Sequence, residues 1–171
     1  PNIEILTNTQ IVDMEGQAGD FSVSLRQEPR YVDTARCINC GLCAAACPVE
    51  LPSGFQMELA QRKAIYKPAP RSLPDAYVID KGPYCDDCGR CVSVCPTEAI
   101  NLDAQPRALT VNVGAVILAL GFQTYDPTEL EELGHGRFPN VLNALQMERL
   151  LAPHGPYGRV LRPSDGRIPD S

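Results

Sequence analysis

Eight cysteines stand in two runs of one pattern. Cys37, Cys40, Cys43 and Cys47 are followed by Pro48, and Cys85, Cys88, Cys91 and Cys95 by Pro96. Each run reads C-x2-C-x2-C-x3-C-P, a spacing that holds 4Fe–4S cubanes. The second run lies 48 residues after the first, and Gly41/Gly89 and Glu50/Glu98 repeat at the same offset, the mark of an internal duplication. The first three thiolates of a run sit on a loop able to wrap three corners of a cubane. The fourth begins a new turn, about 6 Å further along if the segment is helical, and is badly placed to close the same cubane. It is expected to reach the other one. The expected ligand sets are therefore crossed: Cys37, Cys40, Cys43 and Cys95 around one cluster, and Cys85, Cys88, Cys91 and Cys47 around the second.

The neighbouring residues suit this chemistry. Gly41 and Gly89 remove a side chain where backbone N–H groups must approach cluster sulfur. Pro48 and Pro96 offer no N–H and are expected to end a short helix after the fourth ligand. Ile38, Leu42, Val92 and Val94 are apolar and are candidates to shield the clusters from water, with Ile38 and Val92 alternatively simple core. Asp86 and Asp87 read first as a solvated face; beside a cluster their charge would instead oppose its reduction. A zinc ribbon uses two C-x2-C pairs without the third and fourth Cys or the Pro. Four disulfides fit neither the spacing nor the lack of a visible secretion signal.

The elements that must position these residues are short. Ile3, Ile5 and Ile11 lie in β-prone runs, and Phe21–Leu25 alternates apolar and polar as a half-buried strand does, after a turn marked by Gly16, Gly19 and Asp20. A helix is expected from Ser53 or Gly54 to Tyr66, stopped by Pro68 and Pro70. A strand is expected over Ala108–Leu120, and a last helix from about Asn143 to Leu151 before Pro153. The tail from Gly155 to Ser171, rich in Gly, Pro and charge, reads as a linker or a truncated element. The fold class is α+β: a two-cluster core of short strand pairs and two short helices over 31–104. The helical spacer covers one side, with flanks at 1–30 (β-rich) and 105–171 (strand, helix and tail).

Composition narrows the function. The chain has 171 residues, 44% of them hydrophobic and 21% charged, so a packed domain is expected rather than disorder. A net charge of −6 argues against nucleic acid as a partner. The longest apolar run, Val113–Phe122, is about half of a membrane span. No basic-then-apolar leader is seen at Pro1, so no secretory signal is visible. His135 and His154 lie in Gly- and Pro-rich loops and read as exposed loop residues rather than ligands. No nucleophile–base pairing stands out, since every Cys is already assigned to a cluster.

The cysteine block resembles bacterial two-cluster ferredoxins, with a longer spacer between its halves. That spacer, Arg62–Pro68 through Leu73–Asp80, resembles the inserted ferredoxin domain in the A subunit of heterodisulfide reductase. Around it, Pro1–Glu4, Gly19–Phe21 and Arg30–Asp33 resemble the segment entering that insert. Val113–Phe122, Gly134–Val141 and Arg162–Gly166 resemble the segment leaving it. The resemblance implies a cytoplasmic iron–sulfur flavoprotein with FAD in a thioredoxin-reductase-like domain, of which the flanks at 1–30 and 105–171 are pieces, acting in flavin-based electron bifurcation. It also implies partners: other subunits of a heterodisulfide-reductase-type complex, and a redox donor or acceptor such as ferredoxin or hydrogenase. No G-x-G-x-x-G loop is present, so FAD is expected in the parent protein and not on this segment. Ala119-Leu120-Gly121 stands where related flavoproteins have an Ala-Thr-Gly turn. Ala119 and Gly121 are thus candidates for a backbone contact to flavin, against the plainer reading of a buried strand ended by a glycine turn. The expected function is an internal electron relay with no substrate bond made here. The alternatives are a relay in a related quinone-interacting flavoprotein, a purely structural metal module, and a free-standing ferredoxin.

Overall fold

The computed structural model describes residues 2–169; Pro1, at the head of the first flank, and Asp170 and Ser171, at the end of the tail, lie outside the described residues. In chain order the elements are β1 (Thr9–Gln17), β2 (Asp20–Gln27), α1 (Leu42–Ala46), β3 (Glu50–Pro52), β4 (Gln61–Lys63), β5 (Ile65–Tyr66), β6 (Val78–Ile79), α2 (Arg90–Ser93), β7 (Arg107–Val113) and α3 (Ala144–Leu151). Short 3-10 turns occupy Gly54–Gln56, Pro127–Glu129 and Glu131–Leu133. The elements divide into two compact units, one running up to Val49 and over Ala64–Leu120, the other made of Glu50–Lys63 and the residues from Gly121 onward.

In the first unit an antiparallel sheet has the order β1-β2-β7. The alternation read in β2 is what builds it. Phe21, Val23 and Leu25 stand opposite Val113, Val111 and Leu109, so apolar side chains pair across the strands on one face. The β1–β2 turn is tight at Gly16, where φ is 108° and a Cβ would overlap the Asp20 carbonyl oxygen. Ile3 and Ile5 precede β1, outside any strand, and are exposed. The expected strand over Ala108–Leu120 stops at Val113. Val113 pairs with Phe21 at the start of β2, and the next carbonyl, of Gly114, accepts from Gly19 N at 2.9 Å, so the partner strand has run out. Beyond it Ile117 is 90% exposed and Leu120 86%, so this is not the buried strand that the apolar run suggested.

The same unit holds a small core of Val32, Cys43, Ile65, Ile79, Ala99 and Ile100, with Tyr31, Tyr77 and Leu102 packed against it. Two scraps of β structure place these residues. Ile65 pairs with Ile79 in β5–β6, and Val32 bridges Ile100, framed by Asp33 N donating to Ala99 O and Asn101 N to Tyr31 O. The two short helices pack on each other.

The expected helix from residue 53 to 66 is absent, and with it the helical spacer. In the second unit Glu50–Pro52 and Gln61–Lys63 pair as the antiparallel hairpin β3–β4, while β5, in the first unit, takes the last two residues. Met57 and Glu58 both adopt left-handed φ, at 51° and 64°, which no helix interior accommodates. Ser53 N donates to Ala60 O and Glu58 N to Ser53 O, closing the loop. The α3 helix forms where expected. Asn143 caps it in a full capping box with Gln146, and Leu150 is buried. The described tail is not a free linker: the Tyr157 hydroxyl donates to Leu59 O at 2.8 Å, and Gln56 Nε2 donates to the His154 carbonyl at 3.0 Å.

Candidate metal centre

The eight cysteines surround two cavities. Cys37, Cys40, Cys43 and Cys95 line one, with Val32, Tyr77, Ala99 and Ile100 among its walls. Cys47, Cys85, Cys88 and Cys91 line the other, with Ala64, Ile65, Ile79 and Leu102. The cavities hold about 320 and 350 Å³ of space free of protein atoms, part of it open to solvent. Each therefore gathers three cysteines of one run and the fourth of the other.

The local backbone explains how. In each run the third cysteine, Cys43 or Cys91, lies in a short helix that starts after a left-handed glycine, Gly41 at φ 81° or Gly89 at φ 72°. The helices end before the fourth cysteine, not after it as expected from Pro48 and Pro96. Cys47 is extended, at φ −72° and ψ 124°, and Cys95 follows the C-cap Val94. Leaving the helix is what turns the fourth thiol away from its own run. At Gly89 a Cβ would meet nothing within 4 Å, so glycine is needed there for its φ; at Gly41 a Cβ would also come 3.3 Å from the Tyr77 hydroxyl.

All eight thiols are unpaired. Burial pushes the Cys43 thiol up to about 11, and burial also raises Cys85 and Cys91; the N–H groups of Ala44, Asp87 and Val92 partly offset this. At Cys95 burial acts upward too, but donation from Ala99 N, at 3.3 Å to Sγ, and from Thr97 and Glu98 brings the thiol down. Donors that favour thiolate at the free cysteine also stabilise thiolate bound to iron. Ala44 and Val92 follow Cys43 and Cys91, so the duplication extends to these contacts. Among the described residues no three His, Cys, Asp or Glu side chains form a site for a single metal ion. Four soft sulfur donors around a space, with apolar walls and N–H groups directed at sulfur, fit a group that brings its own core of iron and sulfide.

The neighbours differ from expectation. Ile38 is 62% exposed, and Leu42, Val92 and Val94 are also exposed, so none is core; of the four only Ile38 lines a cavity. The apolar walls come instead from Val32, Ile65, Ile79, Ala99 and Ile100, which sequence reasoning passed over although Val78-Ile79 and Ala99-Ile100 were visible β-prone pairs. Asp86 and Asp87 are exposed, as a solvated face would be, and each is also hydrogen-bonded. Asp86 Oδ1 accepts from Cys88 N at 3.3 Å, and Asp87 pairs with Lys81 Nζ at 2.9 Å. That bond to Asp87 raises the Lys81 ammonium. His154 is exposed as expected, whereas His135 is half-buried, with Nε2 3.4 Å from Gln146 Oε1. Ala119 and Gly121 are exposed in a stretch without helix or strand, with Gly121 at φ 72°.

The motif and this geometry define the class: residues 33–99 match the 4Fe-4S dicluster domain. Over its whole length the chain is, further, a homologue of proteins named as the A subunit of heterodisulfide reductase, and the resemblance read in the sequence is borne out. It is 46% identical over 170 residues to the A subunit of the H(2)/formate:CoB-CoM heterodisulfide,ferredoxin reductase of Methanococcus maripaludis, covering 99% of this chain and 26% of that protein. It is 44% identical to an iron-sulfur A subunit of the CoB--CoM heterodisulfide reductase of Methanopyrus kandleri, with 99% of this chain and 26% of that protein covered. With the A subunit of the Ferredoxin:CoB-CoM heterodisulfide reductase of Methanosarcina mazei the identity is 38%, over 100% of this chain and 22% of that protein. The chain thus spans about a quarter of the length of the curated relatives it matches.

Proposed function

We propose that the chain is an electron relay with two 4Fe–4S clusters inside an iron–sulfur flavoprotein of the heterodisulfide-reductase-A type. Cys37, Cys40, Cys43 and Cys95 hold one cluster, and Cys47, Cys85, Cys88 and Cys91 the other. The observation that carries this is the crossed gathering of the eight thiols at two cavities on one core. When bound, the clusters supply one-electron redox chemistry. The chain's own residues supply thiolates, N–H donors to sulfur and apolar walls that limit water, the levers that set potential.

Residues 31–104 are the two-cluster domain in this reading, and 1–30 with 105–171 belong to a flavin domain completed by other parts of a longer protein. The exposed apolar run through Ala119–Gly121 supports this, because so many apolar side chains open to water suit a surface that further chain covers. Ala119 and Gly121 then meet flavin through backbone. FAD itself is held by the longer protein, which works in the cytoplasm beside other subunits of a heterodisulfide-reductase-type complex and exchanges electrons with a donor or acceptor such as ferredoxin or hydrogenase.

Two substitutions test the ligand sets. Cys47→Ala should damage the cluster held by Cys85, Cys88 and Cys91, and Cys95→Ala the one held by Cys37, Cys40 and Cys43. Paramagnetic resonance of the reduced wild type should show two coupled spins, and each variant should keep one uncoupled signal. If Cys47→Ala perturbs only the centre of its own run, the crossed assignment falls. Zinc without iron in the wild type would overturn the relay itself.

A further inference from the structure

The two motifs differ between their first two cysteines. The first has Ile38 and Asn39, both neutral, where the second has Asp86 and Asp87. Asn39 and Asp87 share a left-handed conformation, at φ 56° and 54°, so the backbone path is the same and only the charge is not. Asn39 Nδ2 donates to the Asp75 carbonyl at 2.6 Å. Asp87 instead faces a cation from outside the motif. Lys81 Nζ lies 2.9 Å from Asp87 Oδ2, donates to the Leu102 carbonyl at 2.7 Å, and stands 5.2 Å from the Tyr31 ring centroid. The other carboxylate oxygen of Asp87 is 3.9 Å from Cys85 Sγ.

Lys81 therefore joins three pieces of chain around one cavity. Asp87 and Leu102 line that cavity, and Tyr31 packs on the core beneath it. The position 48 residues before Lys81 is Asp33, whose carboxylate accepts from Ala35 N at 2.8 Å within its own turn. The first motif has no counterpart of this arrangement at the matching position. The Lys81 side chain is 25% exposed and that of Asp87 47%, so water screens the pair in part and not fully.

We propose that Lys81 is a positioning residue that sets the reduction potential of the centre held by Cys47, Cys85, Cys88 and Cys91, by cancelling the Asp87 charge and fixing its loop. The inference rests on the cluster reading above. Reduction adds one electron to the centre and changes no bond in the chain; a bare carboxylate beside it opposes that electron, and the ammonium offsets the opposition.

The test is a dithionite titration of the iron-loaded protein, followed by paramagnetic resonance, for the wild type, Lys81→Met, Lys81→Arg, Asp87→Asn and the Lys81→Met/Asp87→Asn double variant. Asn is tolerated at 87 because Asn39 already adopts that conformation in the first motif. Lys81→Met should lower the potential of one centre, on the order of tenfold in its reduction equilibrium, which is about 59 mV for one electron. Asp87→Asn should raise the same centre, the double variant should return close to the wild type, and Lys81→Arg should stay there. A purely structural anchor cannot give shifts of opposite sign. Shifts of the same sign, or equal shifts in both centres, or none with full iron, overturn the proposal. If Lys81→Met loses its iron, Asp87→Asn decides, and an unmoved potential there overturns it as well. A wild type without iron and sulfide overturns the cluster reading and this one with it.

Discussion

Gly41 and Gly89 occupy the same place in the two motifs but answer to different constraints. Both precede a one-turn helix in left-handed conformation, which costs a residue with a Cβ about 1–2 kcal/mol. At Gly89 that is the whole cost, because the space around it is open. At Gly41 the added methyl also crowds the Tyr77 hydroxyl, 3.3 Å away, on the wall of the first cavity. Gly89→Ala should therefore lower the apparent melting temperature of the iron-loaded protein modestly, and Gly41→Ala should lower it further and speed iron loss to a chelator. Equal effects from the two substitutions would show that the Tyr77 contact does not matter.

Among the elements, α3 is the one whose ends were written locally. Asn143 accepts from Gln146 N at 2.8 Å, and Gln146 Oε1 accepts from Asn143 N at 3.0 Å. Asn143→Ala should destabilise the second unit by about 1 kcal/mol, and Leu150→Ala, which empties a buried position, by about 2–5 kcal/mol. Hydrogen exchange over 144–151 would read both. The helix was legible because its cap, its apolar spacing and the following Pro153 all sit within one short stretch. The segment from Ser53 to Tyr66 was not. Its composition permits a helix, but Met57 and Glu58 turn left-handed and the flanks pair with each other, a choice made by cross-strand bonding. The ligand candidates were legible for the same reason as α3, since cysteine spacing is local. The walls around them were not, because Val32, Ile65, Ile79 and Ile100 come from four separate stretches and meet only in the fold.

For the whole molecule, a buried cluster of six residues, one of them the cysteine Cys43, is too small to hold the first unit's cysteine region by itself. A core of that size calls for a staple, and two clusters supply it. Anaerobically prepared protein should carry about eight iron and eight acid-labile sulfide per chain. Chelation should abolish most of the secondary structure between Tyr31 and Asp103, read by circular dichroism. Unchanged spectra and cooperative melting without iron would contradict this. Two oxidised clusters would take the formal charge from −6 to about −10. Oxygen should strip iron and expose thiolates to further oxidation.

The residues after β7 have a practical meaning for anyone handling this polypeptide. Ala115 to Leu120 is six apolar residues without a charge or a proline, lying in neither helix nor strand. Such a stretch is a template for cross-β stacking between copies, whatever the iron content. Turbidity in concentrated samples should begin here, and a single gatekeeper charge, Ile117→Lys, should delay it without changing iron content, because Ile117 is 90% exposed.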